Sequence, residues 1–148
     1  MRFVLTLAFA AVSTVAFAQE AVDYTTAYHQ AAENNRPLLV LVTAEWCPPC
    51  QVMKSTTIPE LVAKNAFSGV NYATVDYDSQ VALASQLIGE RGLPQLLLFQ
   101  KVEGQWQRRY LAGLQSVAGI ETFMQQAGVV TRVAEASDSK VDSATTKK

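Results

Sequence analysis

The spacing of apolar and polar positions divides the 148-residue chain into an apolar leader, a run of eight elements and a polar tail. Over residues 23–35, Tyr24, Ala27, Tyr28, Ala31 and Ala32 fall near a 3.6-residue period, which predicts an amphipathic helix ended by Asn34-Asn35-Arg36-Pro37. The unbroken run Leu38-Leu39-Val40-Leu41-Val42 then predicts a strand over 38–43 that is buried on both faces, as in a sheet covered by helices. The next helix is predicted to start at Cys47 and run through Met53 and Lys54. Pro49 is tolerated there because a first-turn residue has no intrahelical N–H partner to lose. Ser55-Thr56-Thr57-Ile58-Pro59 interrupts the pattern, and Pro59 opens a second helical piece to about Ala66, giving either one kinked helix or two short ones.

Residues 70–76 alternate as a second strand, followed by Asp78 or Ser79 as N-cap of a helix through Ile88. Gly89 and Gly92 bracket its exit loop. Residues 94–100 and 106–111 read as two antiparallel strands joined around Gly104. Ser116 then caps a last helix whose Ile120, Phe123, Met124 and Ala127 form a buried stripe before Gly128. Crossover units followed by a hairpin predict an α/β fold of three layers, a central mixed sheet of about four strands flanked by helices.

Composition sets the compartment. Residues 1–18 combine Arg2, an apolar stretch relieved only by Thr6, Ser13 and Thr14, and Ala16-Phe17-Ala18 as an A-x-A cleavage site before Gln19. They read as a cleaved signal peptide, with an uncleaved N-terminal anchor as the alternative. The folded domain is expected over 19–133. From Ala134 the chain turns to Ala, Ser, Thr, Asp and Lys without aromatics, and such a tail over 134–148 cannot bury enough apolar surface to order itself. With 12 basic and 13 acidic residues the net charge is −1, and loss of Arg2 makes the mature chain more acidic. That balance argues against a nucleic-acid surface. An export signal together with cysteines points to an oxidising compartment such as a bacterial periplasm.

The candidate chemistry lies in Trp46-Cys47-Pro48-Pro49-Cys50, which holds the only two cysteines of the chain three positions apart after a buried strand. In a first helical turn residues i and i+3 share a face, so the two sulfurs can close a small-loop disulfide. A cysteine at a helix start can also have its pKa lowered from about 8.5 into roughly the 3.5 to 7.5 range, which makes it a nucleophile at neutral pH. Two other readings stay open. A zinc site needs four ligands, and two cysteines with His29 do not supply them, so no metal is expected. A purely structural disulfide would close a loop too short to remove much chain entropy. His29, far along the chain from the cysteines, reads as a surface residue.

These residues resemble the thioredoxin superfamily over about residues 38–128. The likeness rests on Ala44-Glu45-Trp46-Cys47-Pro48-Pro49-Cys50 after the first central strand, Val75-Asp76 ending the next, Gly92-Leu93-Pro94 opening the hairpin, and Gly113 before the last helix. The resemblance implies an exported thiol-disulfide oxidoreductase needing no cofactor beyond its own Cys47–Cys50 disulfide. Cys47, exposed at the helix start, would attack a partner disulfide and Cys50 would resolve it. Trp46 would cover the sulfurs, Leu93 and Pro94 would shape the substrate groove, and Glu45, Pro48 and Pro49 would support the site. The resemblance also implies that Pro94 is cis, against the alternative of an ordinary first-strand proline, and that Leu93 pairs with an extended substrate through its main chain. Plain core packing is the alternative for Trp46.

The chain departs from the family in two places. The buried aspartate and lysine that move a proton for the second cysteine have Leu41 and Tyr72 as their best-matching positions, leaving water or Glu45 to deprotonate Cys50. Pro48-Pro49 supplies neither a histidine nor a backbone donor between the cysteines. The expectation is therefore a reductant, monomeric, acting on protein thiols and disulfides and fed by a membrane electron donor. The rival is a partner-binding module with an incidental disulfide.

Overall fold

The computed structural model describes residues 22–89 and 91–129. The leader and the polar tail expected from the sequence, and the outer limits of the 19–133 domain, lie outside the described residues. Along the chain run α1 (Tyr24–Asn34), β1 (Leu38–Thr43), α2 (Pro48–Val52), a π-helical turn (Met53–Thr57), α3 (Ile58–Ala63), β2 (Asn71–Asp76), α4 (Val81–Leu87), β3 (Gln95–Val102), β4 (Gln105–Ala112) and α5 (Val117–Gln126). Among the described residues no helix is long and apolar enough to cross a membrane.

The apolar run of β1 makes it the inner strand. The sheet order is β2-β1-β3-β4, with β2 parallel to β1 and the other pairs antiparallel. Every residue of β1 is buried. Its alternating side chains feed two cores, because successive residues of a strand point to opposite faces. Leu39 and Leu41 face Met53, Leu61, Ile120 and Met124 on the α2–α3 and α5 side. Leu38, Val40 and Val42 face Ala27, Ala31, Ala84 and Leu87 on the α1 and α4 side. Each such aliphatic side chain contributes about 1.5–3 kcal/mol when fully buried, so both layers depend on this one strand. A single parallel bridge from Val22 to Ala73 adds to the outer edge of β2.

Several elements differ in detail from the expectation. The interruption before Pro59 is neither a kink nor a gap but the π-helical turn, in which the Ile58 N–H donates to the Met53 carbonyl. One wide turn lets the helix pass a proline that has no N–H to give. The second piece ends at Ala63, three residues short of Ala66. Helix α4 starts at Val81, and neither Asp78 nor Ser79 caps it. The Asp76 carboxylate instead takes the N–H groups of Asp78 and Ser79, and the Asp78 carboxylate is drawn elsewhere. In α1, Tyr28 and Ala32 face solvent, whereas Ala27 and Ala31 are buried. The cap of α5 is as expected, Ser116 accepting from the Gly119 N–H, while Asp23, placed inside the first helix by the sequence pattern, is instead its N-cap and accepts from the Thr26 N–H.

Candidate functional site

The sheet's central strand ends at Thr43, and Ala44-Glu45-Trp46 carries the chain over its end into α2. Cys47 is the N-cap of α2, and its sulfur is bonded to that of Cys50 with a Cα–Cα separation of 5.2 Å. Pro48 and Pro49 occupy the first helical positions and bring no N–H. One amide therefore reaches the Cys47 sulfur, that of Cys50 at 3.3 Å, while the Gln51 N–H is taken by the Cys47 carbonyl. Two prolines thus strip the helix start of most of the donors that would hold a thiolate.

Both sulfurs are more enclosed than the sequence suggested. Cys47 was expected to be exposed at the helix start, but it retains 4% of its surface and Cys50 none. The cause is packing: the pair forms a small apolar cluster with Ala44, against which Tyr77 and Leu93 lie. Cys47 retains what little exposure the pair has, and Cys50 has none.

Trp46 is 67% exposed, which removes core packing as the reason for an aromatic there. Its indole N–H donates to Asp78 Oδ1 at 2.8 Å, and the Glu45 N–H donates to Asp78 Oδ2 at 2.8 Å. One carboxylate thus pins both residues before Cys47. Sequence reasoning missed Asp78 in this role by assigning it to a helix cap. Glu45 supports the site through its backbone, since its carbonyl also accepts from Gln51 Nε2 at 3.1 Å. Its carboxylate is exposed and takes no hydrogen bond among the described residues, whereas Cys50 is sealed. Glu45 is therefore badly placed to deprotonate Cys50.

The Leu93–Pro94 peptide bond is cis, and Pro94 is buried where β3 begins. Gly113, at φ 83°, donates its N–H to the Pro94 carbonyl at 2.8 Å. Leu93 makes no backbone hydrogen bond among the described residues, and its side chain packs both on the disulfide cluster and on the α1–α4 core.

At the positions of the family's proton relay, Leu41 and Tyr72 are both buried. The strand register sets Thr74, not Tyr72, directly opposite Leu41, and the Tyr72 hydroxyl lies 3.0 Å from that of Thr74. Burial pushes the Tyr72 phenol up to about 12, against a smaller opposing effect of the Thr74 hydrogen bond, so it holds its proton at neutral pH. His29 is exposed on α1, edge-on to Tyr28. Among the described residues no cluster of three or more His, Cys, Asp or Glu is placed to hold a metal ion.

The comparisons agree with this geometry. The model of the thioredoxin-like family matches residues 18–101. Among solved structures, the chain is similar to a thioredoxin from Thermus thermophilus at 21% identity and a TM-score of 0.60, covering 76% of this chain and 89% of that one. A thioredoxin variant from Halobacterium salinarum shares 27% identity with a TM-score of 0.54 over 72% of this chain and 87% of that one. Trxlp from Edwardsiella tarda shares 26% identity with a TM-score of 0.53 over 70% and 94%. No curated protein matches the chain. A C-x-x-C disulfide at a strand-to-helix junction of this fold supports thiol-disulfide redox chemistry, and with more than half of its length matched by the family model the chain belongs to the thioredoxin-like family.

Proposed function

We propose that the protein is an exported thiol-disulfide oxidoreductase that reduces disulfides of partner proteins in the periplasm. The observation that carries this reading is the Cys47–Cys50 disulfide at the start of α2, where Cys47 retains 4% of its surface and Cys50 none. In the dithiol form, the Cys47 thiolate attacks one sulfur of a partner disulfide. A new S–S bond forms, the partner's S–S bond breaks, and the released partner thiolate takes up a proton. Cys50 then gives up its proton and attacks the Cys47 sulfur, re-forming the disulfide and releasing the second partner thiolate, which is protonated in turn. Two electrons and two protons pass to the partner, and a dithiol donor at the membrane restores the enzyme. With the Glu45 carboxylate exposed and Cys50 sealed, the Cys50 proton passes to water that enters when the mixed disulfide opens the site. Leu93, with its backbone groups free of partners among the described residues, is the place where a partner strand adds through main-chain hydrogen bonds.

The direction follows from the poverty of thiolate support. With Pro48 and Pro49 at the helix start and apolar neighbours around the sulfurs, the reduced form gains little from its environment. That favours the disulfide in the protein and reduction of the partner. The burial of Cys47 favours the rival, a partner-binding module in which turnover is incidental. Trapping on periplasmic extract separates them. Cys50→Ser is expected to accumulate covalent partners through Cys47, and Cys47→Ser none. A Cys50→Ser variant that captures nothing, with partner binding intact in Cys47→Ser, would overturn the redox reading.

A further inference from the structure

We propose that the exposed face of β4 beside Leu93 is a client-docking band that takes an extended acidic segment carrying an apolar anchor; this rests on the redox reading above. The sheet is covered unevenly. Helices α1 and α4 pack over β1 and β2 and reach this face of β4 only at their edges, where Arg108 Nη1 donates to the Leu87 carbonyl at 3.1 Å and Tyr24 and Tyr28 line a cavity with Trp106. Strand alternation places Trp106, Arg108 and Tyr110 on that face, while Arg109 points to the other side, over the Phe123 ring of α5. Trp106 is 43% and Tyr110 39% exposed.

The cations are arranged on these rings. Arg91 lies 5.7 Å and Arg108 5.9 Å from the Tyr110 ring centre, and Lys101 lies 5.3 Å from that of Trp106. Among the described residues none of the three makes an ion pair. Three cations on one face of a chain whose net charge is −1 form a local field that an acidic segment complements.

The band has a start and an end. It starts at the disulfide lip, because Arg91 precedes Gly92-Leu93 and Leu93 packs on the cysteine cluster. It ends in a cavity of about 220 Å³ lined by Tyr24, Tyr28, Leu38, Phe99 and Trp106. Phe99 lies about six residues beyond Leu93, roughly 20 Å of extended strand. A client strand seated at Leu93 therefore meets Arg91 and Arg108, over the Tyr110 ring opposite Leu97, by about the fourth residue from its cysteine, the aromatic cavity at about the sixth, and Lys101 beyond it. Charged side chains on an edge strand also serve as a guard against strand pairing between molecules. That role requires neither the stacking of cations on rings nor a cavity at the end of the row.

Reduction kinetics of synthetic peptides test the band, with dithiothreitol regenerating the wild-type dithiol. Each peptide carries one cysteine as its mixed disulfide with 2-mercaptoethanol, with the same flanks mirrored on both sides so that strand polarity does not matter. One has Asp at the second to fourth positions and Leu at the sixth, one has Lys for Asp, and one has Ser for Leu. The acidic Leu peptide is expected to show kcat/KM about tenfold above the Lys peptide at low salt, closing to within about twofold at 0.5 M salt. The Ser peptide is expected to fall about fivefold below the Leu peptide. Arg91→Glu with Arg108→Glu should reverse the Asp over Lys order. Hydroxyethyl disulfide, which is small and neutral, reports the chemistry itself. If it is reduced but the Asp and Lys peptides are used equally, the band is overturned and the redox reading stands. If it is not reduced, the redox reading fails and the band with it. Equal use of the Leu and Ser peptides would overturn the anchor.

Discussion

At the scale of single residues the site depends on residues that lie outside the C-x-x-C motif. Asp78 is the clearest case, because its two oxygens fix the Glu45 amide and the Trp46 indole in front of Cys47. Hydrogen bonds to a carboxylate contribute more than neutral ones, though exposure weakens them, so Asp78→Ala is expected to cost about 1–2 kcal/mol in urea unfolding. The same variant should shift Trp46 fluorescence, and a double-mutant cycle with Trp46→Phe should show coupling between the two. Tyr72 supplies a pH signature. Its phenol ionises near 10 when unfolded and near 12 when folded. Above about pH 10 the unfolded chain sheds a proton that the folded chain keeps. The associated stability is complete below pH 10 and falls by roughly 3 kcal/mol as pH rises to 12. Tyr72→Phe should flatten that alkaline slope, and an unchanged slope would place the phenol in water. The cysteine pair was legible because its spacing is local. The role of Asp78 was not, since a carboxylate two residues past a strand reads equally well as a cap, and only the return of the chain over β1 decides between them.

At the scale of elements, legibility followed how local the cause is. The apolar run 38–42 of β1 and the Ser116 cap of α5 were readable because the residues that form them also explain them. The stretch 55–59 was readable as a break, but its form was not. Whether a helix meets a proline by kinking or by widening into a π turn depends on how its far end is held, and here Ile58 and Leu61 are fixed in the core with Leu41 and Met53. The hairpin between β3 and β4 is a case where local chemistry is imperfect. Both residues of its two-residue turn have positive φ, 52° at Glu103 and 80° at Gly104. That pattern suits Asn-Gly, and Glu pays for a left-handed conformation. Glu103→Asn is therefore expected to raise stability by about 0.5–1 kcal/mol, and Gly104→Ala to lower it by about 1 kcal/mol, both read as midpoint shifts in urea. A gain on Gly104→Ala would mean that the turn has another geometry.

At the scale of the whole molecule, fold stability and redox direction are one thermodynamic quantity seen from two sides. The oxidised and reduced chains, folded and unfolded, form a closed cycle. The excess stability of the oxidised fold therefore equals the preference of the fold for its disulfide, at about 1.4 kcal/mol for each 30 mV of reduction potential. A short loop closed by four residues constrains the unfolded chain by only about 2 kcal/mol. Anything beyond that comes from what the folded site does to the two redox states. The site packs the sulfurs among Ala44, Tyr77 and Leu93, gives the Cys47 sulfur a single amide, and has Leu41 and Tyr72 where a buried acid and base would share a proton. Each of these features disfavours a buried thiolate more than a disulfide. The oxidised protein is therefore expected to exceed the reduced protein by more than about 2 kcal/mol in denaturant unfolding with and without dithiothreitol. Replacing Pro48 by His should narrow the gap, because an imidazolium beside the helix start supports the thiolate. If the reduced protein proves the more stable of the two, the fold prefers the dithiol. Electrons then run from partner to protein, and the direction proposed for this enzyme must be reversed.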